Sequence, residues 1–380
     1  MNKNQKFLQK VAVSIFILFL STGFIIGSMT FLRPSISEIE NRKLATFPKF
    51  TISSFLNGEY FSDISLWYSD TFPFREQAIQ WNQKIQTLYG FSMKDKVVEH
   101  VKPEGNGNLT EEIHHQVFKK LHYKDGRVYQ EYTWNQEAAD AFIHTLNDAS
   151  TRLDNTQIYS FLIPTSDLSQ DSKYYDERWN QVISVPVFQV LKEHEHEYIY
   201  FHTDHHWTAL GAHYAYQAFC DIKGFQSHDL SEYDTFRVDS FVGSYRSQFP
   251  ELKDHPDFID AYIPLSTNEM KDNKNNTYPM VKKRSGYTTF MGGDVPYLEI
   301  NNPEIHDGSS CAVLKESYAN SLIPFLVDHY DTIYVLDFRY TNENIVEFCN
   351  RNNVDDLLLV NSLQILANEK IVEKYDSIFK

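Results

Sequence analysis

Cysteine is scarce in this chain: Cys220, Cys311 and Cys349 are the only three in 380 residues, and no two stand close together. Without a C-x-x-C pair there is no zinc knuckle and no redox motif, and an odd, low count does not make a disulfide scaffold. Cys311 and Cys349 become neighbours only if their elements are adjacent, which spacing leaves open. Positive charge is short as well. Lys and Arg number 35 against 51 Asp and Glu, a formal net charge of −16. So acidic a surface repels phosphate backbones and anionic lipid, which argues against nucleic acid as a partner. Internal repeats and low-complexity tracts are also missing. A chain of this length fits one large domain or two modest ones, either able to bury a core.

Aromatic side chains are plentiful, with 28 Phe, 24 Tyr and 5 Trp. Such a composition is globular rather than disordered. Most of these rings belong in a core, but apolar ring faces also stack on pyranose faces and suit a sugar ligand.

Residues 11–32, VAVSIFILFLSTGFIIGSMTFL, are 22 residues without a charge. As a helix they reach about 33 Å, enough to cross a bilayer core. Lys3, Lys6 and Lys10 precede the run, while Glu38 and Glu40 follow soon after Arg33. The positive-inside rule then puts the N-terminus in the cytoplasm and the remaining residues outside the membrane. The competing reading, a cleaved signal peptide, needs a shorter apolar region and an A-x-A site. The expected organisation is a cytoplasmic tail (1–10), a transmembrane anchor (11–32), a juxtamembrane connector with a helical segment (33–100) and an α/β domain (101–380).

In the connector, residues 59–90 are apolar at helical spacing around Pro73, with Asp70 and Arg75 flanking the break as a cap and a surface ion pair. Farther on, 134–153 reads as a helix, 158–167 as a buried strand running into a turn, 198–203 as a strand and 209–224 as a helix stopped by Gly224. Residues 225–305 look polar and irregular, with 268–277 as a mobile loop. The final stretch is the most regular: strand 311–315, helix 318–330, strand 332–338, helix 342–352, strand 356–362 and a last helix from Leu363. Short apolar strands alternating with helices predict a parallel sheet with right-handed crossovers.

Two places carry chemistry. Ser317 follows the strand CAVLK and opens the next helix, so its hydroxyl points into the crevice at the strands' carboxyl ends. There it is either a nucleophile beside helix N–H donors or an ordinary N-cap. In FHTDHHWTALGAH (201–213), Asp204 and His206 stand two apart, sharing a face of an extended segment as the base half of a hydrolase triad would. The same residues with His202, His205 and His213 also form a metal-ligand set, or a purely structural cluster.

TDHHWTALGAHYAYQAF and VLKESYANSLIPFLVDHYDTIYVLDFRY resemble two long blocks of the DHHW family of bacterial extracytoplasmic proteins. ENRKLATFPKF and YFSDISLWYSDTFPFR are similar to its N-terminal blocks. That family is related to the alginate O-acetylation proteins, which have an SGNH-hydrolase-like domain with a D-x-H-W element and a later serine. The resemblance implies a Ser317 nucleophile, His206 as base and then acid, Asp204 as its orienting carboxylate, and Trp207 and Arg339 at the substrate or oxyanion. His205, His194 and His196 then fall outside the chemistry, and no metal or cofactor is implied. The order, with Asp and His before Ser, is permuted relative to ordinary SGNH hydrolases, and their oxyanion-hole Gly and Asn have no evident counterpart. The activity this resemblance implies is serine-dependent O-acetyl transfer or ester cleavage on a cell-envelope polysaccharide or exopolysaccharide, with a polytopic membrane acyltransferase supplying the acetyl group. A non-catalytic glycan-binding or assembly factor keeping the same fold is the alternative.

Overall fold

The computed structural model describes residues 109–380 throughout and, before them, 42–56, 58–75, 96–99 and scattered positions from 13 to 81. The expected anchor at 11–32 lies mostly outside the described residues, and so does much of the segment 76–108. Among the described residues no helix is long and apolar enough to cross a membrane. The chain divides into two compact units, Met1–Ser92 and Met93–Lys380.

In the first unit, helices Ile52–Leu56 and Glu59–Asp70 are joined at Gly58, whose φ of 86° suits glycine. Asp70 is buried rather than on the surface, and it accepts a hydrogen bond from the Ala45 amide at 2.8 Å. Arg33 lies over the Trp67 ring, 4.0 Å from its centroid.

The second unit is built on one large sheet. Helix α1 (Gln136–Ser150), capped by the Asn135 side chain, leads into strand β1 (Gln157–Ile163). Strand β2 (Val182–Val185) and helix α2 (Ala209–Lys223) follow, and α2 ends at Gly224 with φ 78°. Then come β3 (Glu269–Asp272), β4 (Thr277–Pro279), β5 (Tyr297–Asn301), β6 (Ser310–Lys315) and β7 (Thr332–Asp337). Helix α3 (Ile345–Asn352), strand β8 (Asp356–Ser362) and helix α4 (Glu369–Phe379) complete the unit. The strand order is β4-β3-β5-β7-β6-β8-β1-β2. From β7 to β2 all pairings are parallel, whereas β5, β3 and β4 add antiparallel.

Why β6 and β8 sit in the middle of the sheet is plain from their burial, which takes in every residue of both. Alternate side chains feed two different cores. Val313, Leu358 and Val360 pack with Ala212, Tyr216 and Phe219 of α2, while Leu314, Leu357 and Leu359 pack with Phe142 of α1 and Tyr375 of α4. A sheet covered by helices on both faces needs such continuous apolar runs.

Three expectations change. The sheet is mixed rather than wholly parallel, because 225–305 is not irregular: it supplies β3, β4 and β5 and the separate pair Asp234–Phe241 with Asp257–Ile263. The expected loop at 268–277 is the β3–β4 hairpin, whose turn is held by Asp272 accepting from the Lys274 and Asn276 amides. The expected helix 318–330 is broken into a 3-10 turn (Ser317–Ser321), one α-turn (Ile323–Leu326) and a second 3-10 turn (Val327–His329). Pro324 lacks the N–H that a continuous helix needs there. The three cysteines are buried and free.

Candidate active site

Residues 198–203 do not form a ladder strand. The chain doubles back on itself instead, with an isolated bridge between Tyr200 and Trp207 and a bond from the Thr208 amide to Ile199 O at 2.9 Å. At the tip of this fold-back sit Thr203, Asp204, His205 and His206. Thr208 then caps α2, its hydroxyl accepting from the Gly211 amide. Gly211 is required, since a Cβ there would lie 2.5 Å from Ile199 O.

Asp257, from a distant strand, clamps the tip. One carboxylate oxygen accepts from the Thr203 amide (2.7 Å) and hydroxyl (2.6 Å), the other from the Tyr198 hydroxyl (2.6 Å) and the His202 amide (3.2 Å). A second segment, Gly243–Ser244, covers Asp204: the Ser244 amide donates to Asp204 Oδ2 at 2.7 Å. Only glycine allows this approach, because a Cβ on Gly243 would stand 2.2 Å from Asp204 Cβ.

These contacts aim one line of groups. Asp204 Oδ1 accepts from His206 Nδ1 at 2.5 Å, and His206 Nε2 is 2.7 Å from Ser317 Oγ. Ser317 lies just past the carboxyl end of β6, at the first residue of the 3-10 turn, and is half-buried while both neighbours in the chain are buried. A helix of one short turn has little dipole, so the partial positive charge expected from a long helix is small here. Burial alone raises the Asp204 carboxyl, but the imidazoles of His206 and His205 and the amide of Ser244 outweigh it and hold it well below the usual carboxylate range. A carboxylate facing Nδ1 fixes the proton on that nitrogen and leaves Nε2 to accept from Ser317.

Tyr287 stacks on His206, centroids 3.9 Å apart and planes within 7°, and is pinned by its hydroxyl to Ser321 Oγ at 3.0 Å. Trp207 is fully buried and donates its indole N–H to Tyr318 O at 2.8 Å. That corrects the expectation of a substrate contact: no surface of the ring faces outward, and its work is to tie the fold-back to the Ser317 turn. The Tyr318 hydroxyl returns the tie to His205 O. His205 packs beside His206 and faces Ser244 Oγ at 2.8 Å.

Arg339 is placed apart from the serine in the hydrogen-bond network. Its Nε and Nη2 pair with Asp337 at 2.8 and 2.5 Å, and Nη2 reaches Asp294 at 2.8 Å. Lys315, buried at the end of β6, joins Asp294 at 3.0 Å, Asp337 at 3.4 Å and Asn320 Oδ1 at 2.8 Å. Burial would lower the Arg339 guanidinium, yet the two aspartates raise it well above its ordinary value. The cluster is a closed ion network rather than a free substrate clamp.

Asp204, His205 and His206 each offer a ligand atom within 4.8 Å of the others. Both His206 nitrogens and the His205 Nδ1 already have partners in Asp204, Ser317 and Ser244, so a metal would have to break the line just described. His202 stands outside it, beside Tyr198, and His213 on α2 faces His228 O at 2.9 Å. Sequence reading did not single out Gly243, Ser244, Asp257, Tyr287 or Glu316. Glu316 is buried, with Oε2 3.1 Å from Ser317 Oγ and Oε1 accepting from the Ser362 amide at 3.0 Å.

Fold and site together define a mixed α/β protein with a serine–imidazole–carboxylate line at the carboxyl ends of its central strands. Residues 40–120 and 94–336 match the family model of the DHHW protein, and the chain belongs to that family. A DHHW family protein from Eubacterium siraeum is 25% identical, with a TM-score of 0.60 over 67% of this chain and 94% of its own. Bacillus cereus PatB1, solved with a sulfonyl adduct, is 18% identical with a TM-score of 0.55 over 67% of this chain and 97% of its own. The O-acetyltransferase domain of Pseudomonas putida AlgJ is more distant, at 12% identity and a TM-score of 0.36, covering 66% of this chain and 96% of its own. No curated protein sequence matches.

Proposed function

We propose that the protein is a serine-dependent acyl-transferring enzyme. The observation that carries the reading is the continuous line from Asp204 through His206 to Ser317 Oγ, at 2.5 and 2.7 Å. As Ser317 Oγ bonds to the acyl carbon of the donor, its proton passes to His206 Nε2. The bond to the leaving group breaks, and His206 hands it that proton. An acceptor hydroxyl then gives its proton to His206 and attacks the acyl-serine; as the acyl–Oγ bond breaks, His206 passes that proton to Ser317 Oγ, and water in place of the acceptor gives hydrolysis. Asp204 stays ionised and stabilises the imidazolium.

Family membership supports acetyl as the acyl group and a cell-envelope polysaccharide or exopolysaccharide as the acceptor. The acidic surface suits a glycan better than a polyanion. In this reading residues 11–32 anchor the chain, 33–100 connect, and 101–380 form an SGNH-like domain outside the membrane. A polytopic membrane acyltransferase delivers the acetyl group.

The test is turnover of a chromogenic acetyl ester by the full-length chain, with and without an oligosaccharide acceptor, against Ser317→Ala. The expected loss is on the order of a thousand-fold or more. Melting temperature should move by only a few degrees, since one hydroxyl at a turn is worth about 1 kcal/mol. Equal acetate release by both proteins overturns the nucleophile, and no release by either on any acceptor favours a glycan-binding or assembly factor.

A further inference from the structure

Ser317 has two polar neighbours, not one. His206 Nε2 is 2.7 Å from its Oγ, and Glu316 Oε2 is 3.1 Å away on another side. A serine hydroxyl has a single proton to give and lone pairs that accept. Since Asp204 fixes the His206 proton on Nδ1, Nε2 is an acceptor and needs the Ser317 proton. An ionised Glu316 would be a second acceptor for that proton. Charge-assisted O–H···O⁻ bonds are about twice as strong as neutral ones, so it would turn the hydroxyl away from the base. Its charge would also oppose the negative oxygen that forms during acyl transfer.

The surroundings decide between the two forms. Glu316 is 3% exposed. Oε1 accepts from the Ser362 amide at the end of β8, leaving Oε2 as the atom toward Ser317. The groups that face it are Arg339 after β7, His206 in the fold-back, Asp294 before β5, Tyr287, Tyr318 and, from α4, Tyr375. Burial raises its carboxyl and Asp294 adds to this, while Arg339, His206 and the Ser362 amide lower it; the net direction is up. The Arg339 charge that would otherwise keep Glu316 ionised is already held by Asp337 and Asp294.

We propose that Glu316 works as a neutral carboxylic acid, donating its Oε2–H to Ser317 Oγ and so reserving the Ser317 proton for His206 Nε2. Glu316 is then a positioning residue, and its ionisation switches the nucleophile off. The inference rests on the reading of Ser317 as nucleophile.

The experiment is the rate of covalent labelling of Ser317 by a sulfonyl fluoride, followed by mass spectrometry across pH on the full-length chain. For wild type the rate should climb on the acid side, where the base must become neutral, and fall on the alkaline side by about tenfold per pH unit as Glu316 ionises. Glu316→Gln keeps a permanent N–H donor in the same place, so its rate should climb and then stay flat, within a few-fold of the wild-type maximum. Infrared difference spectra of wild type minus Glu316→Gln at neutral pH supply a readout independent of reactivity, and should contain a carboxylic-acid carbonyl band. An unchanged alkaline fall in Glu316→Gln, or the absence of that band, overturns the inference while leaving the nucleophile intact. No labelling of Ser317 in either protein overturns both.

Discussion

Two buried polar assemblies stand side by side at the carboxyl ends of β6 and β7. In one, Lys315 and Arg339 face Asp294 and Asp337, with Asn320 closing the ring. In the other, Asp204, His206 and Ser317 form an open line that ends at a half-buried hydroxyl. They meet on the same strand end, at Lys315 and Ser317. The first balances its charges and leads nowhere; the second runs from a carboxylate through an imidazole to a half-buried hydroxyl. Burial makes both groups expensive to break, but only the second carries the reactivity proposed above. In the proposed reading, chemistry is marked by a line that ends at a half-buried hydroxyl, not by the density of charge.

Substitutions can break this contrast. The largest effect on activity beyond the serine itself belongs to Asp204→Asn, which presents the wrong partner to Nδ1 and should cut acetyl-ester turnover on the order of a thousand-fold or more. Circular dichroism should still report a folded chain. The largest effect on stability belongs to the closed ring. Lys315→Met leaves the two aspartates with a single cation, and urea unfolding should show a loss of about 3–5 kcal/mol. If that variant is as stable as wild type, the ring is not the structural member of the pair.

A smaller change comes from Gly243→Ala. With a Cβ placed 2.2 Å from Asp204 Cβ, the covering segment must shift, at about 1–3 kcal/mol, and turnover should fall with it. His205→Ala should cost less than about tenfold in turnover, because His205 braces the site from Ser244 and does not touch Ser317. A fall as deep as that of Asp204→Asn would give His205 a direct part.

The two assemblies also respond to acid together. Asp204 and Asp294 both have carboxyls held below the ordinary value of 3.8. For a depressed carboxyl, the stability it contributes is present above its unfolded value and is lost as pH falls through the folded one. Acid unfolding should therefore begin below about pH 4 and be shifted by Asp294→Asn. Glu316 has the opposite sign. Its carboxyl is raised, so its contribution is full below the ordinary glutamate range and declines as pH rises through its folded value. Urea midpoints for Glu316→Gln and wild type should converge at low pH and separate, with the variant more stable, on the alkaline side.

The central strands of the sheet were legible because a strand buried on both faces needs a continuous apolar run, as CAVL and LLLV supply within β6 and β8. The pairing of Asp204 and His206 with Ser317 was legible from motif context, not from distance along the chain. The region 225–305 was not. Strand Asp234–Phe241 lies mostly on the surface and carries Asp234, Arg237 and Asp239 out of step with a two-residue period, and β3 and β4 are four and three residues long, too short for a periodic signal. Asp257, Gly243 and Tyr287 escaped for a further reason: each acts only because the tertiary fold brings it to the fold-back, and nothing local to it announces that role. Glu316 was adjacent to Ser317 in plain view, but only its burial and the direction of Oε2 distinguish it from an ordinary surface glutamate.

The tie between Trp207 and Tyr318, which spans 111 positions, has a consequence for timing. During synthesis the base half of the line leaves the ribosome well before β6 and the serine turn. Until β6 docks between β7 and β8, Tyr318 has no place to receive the indole N–H, and Ser317 is an alcohol like any other in the cell. The Asp204–His206–Ser317 line is therefore completed only by the last third of the chain, and a truncated or half-folded product lacks it.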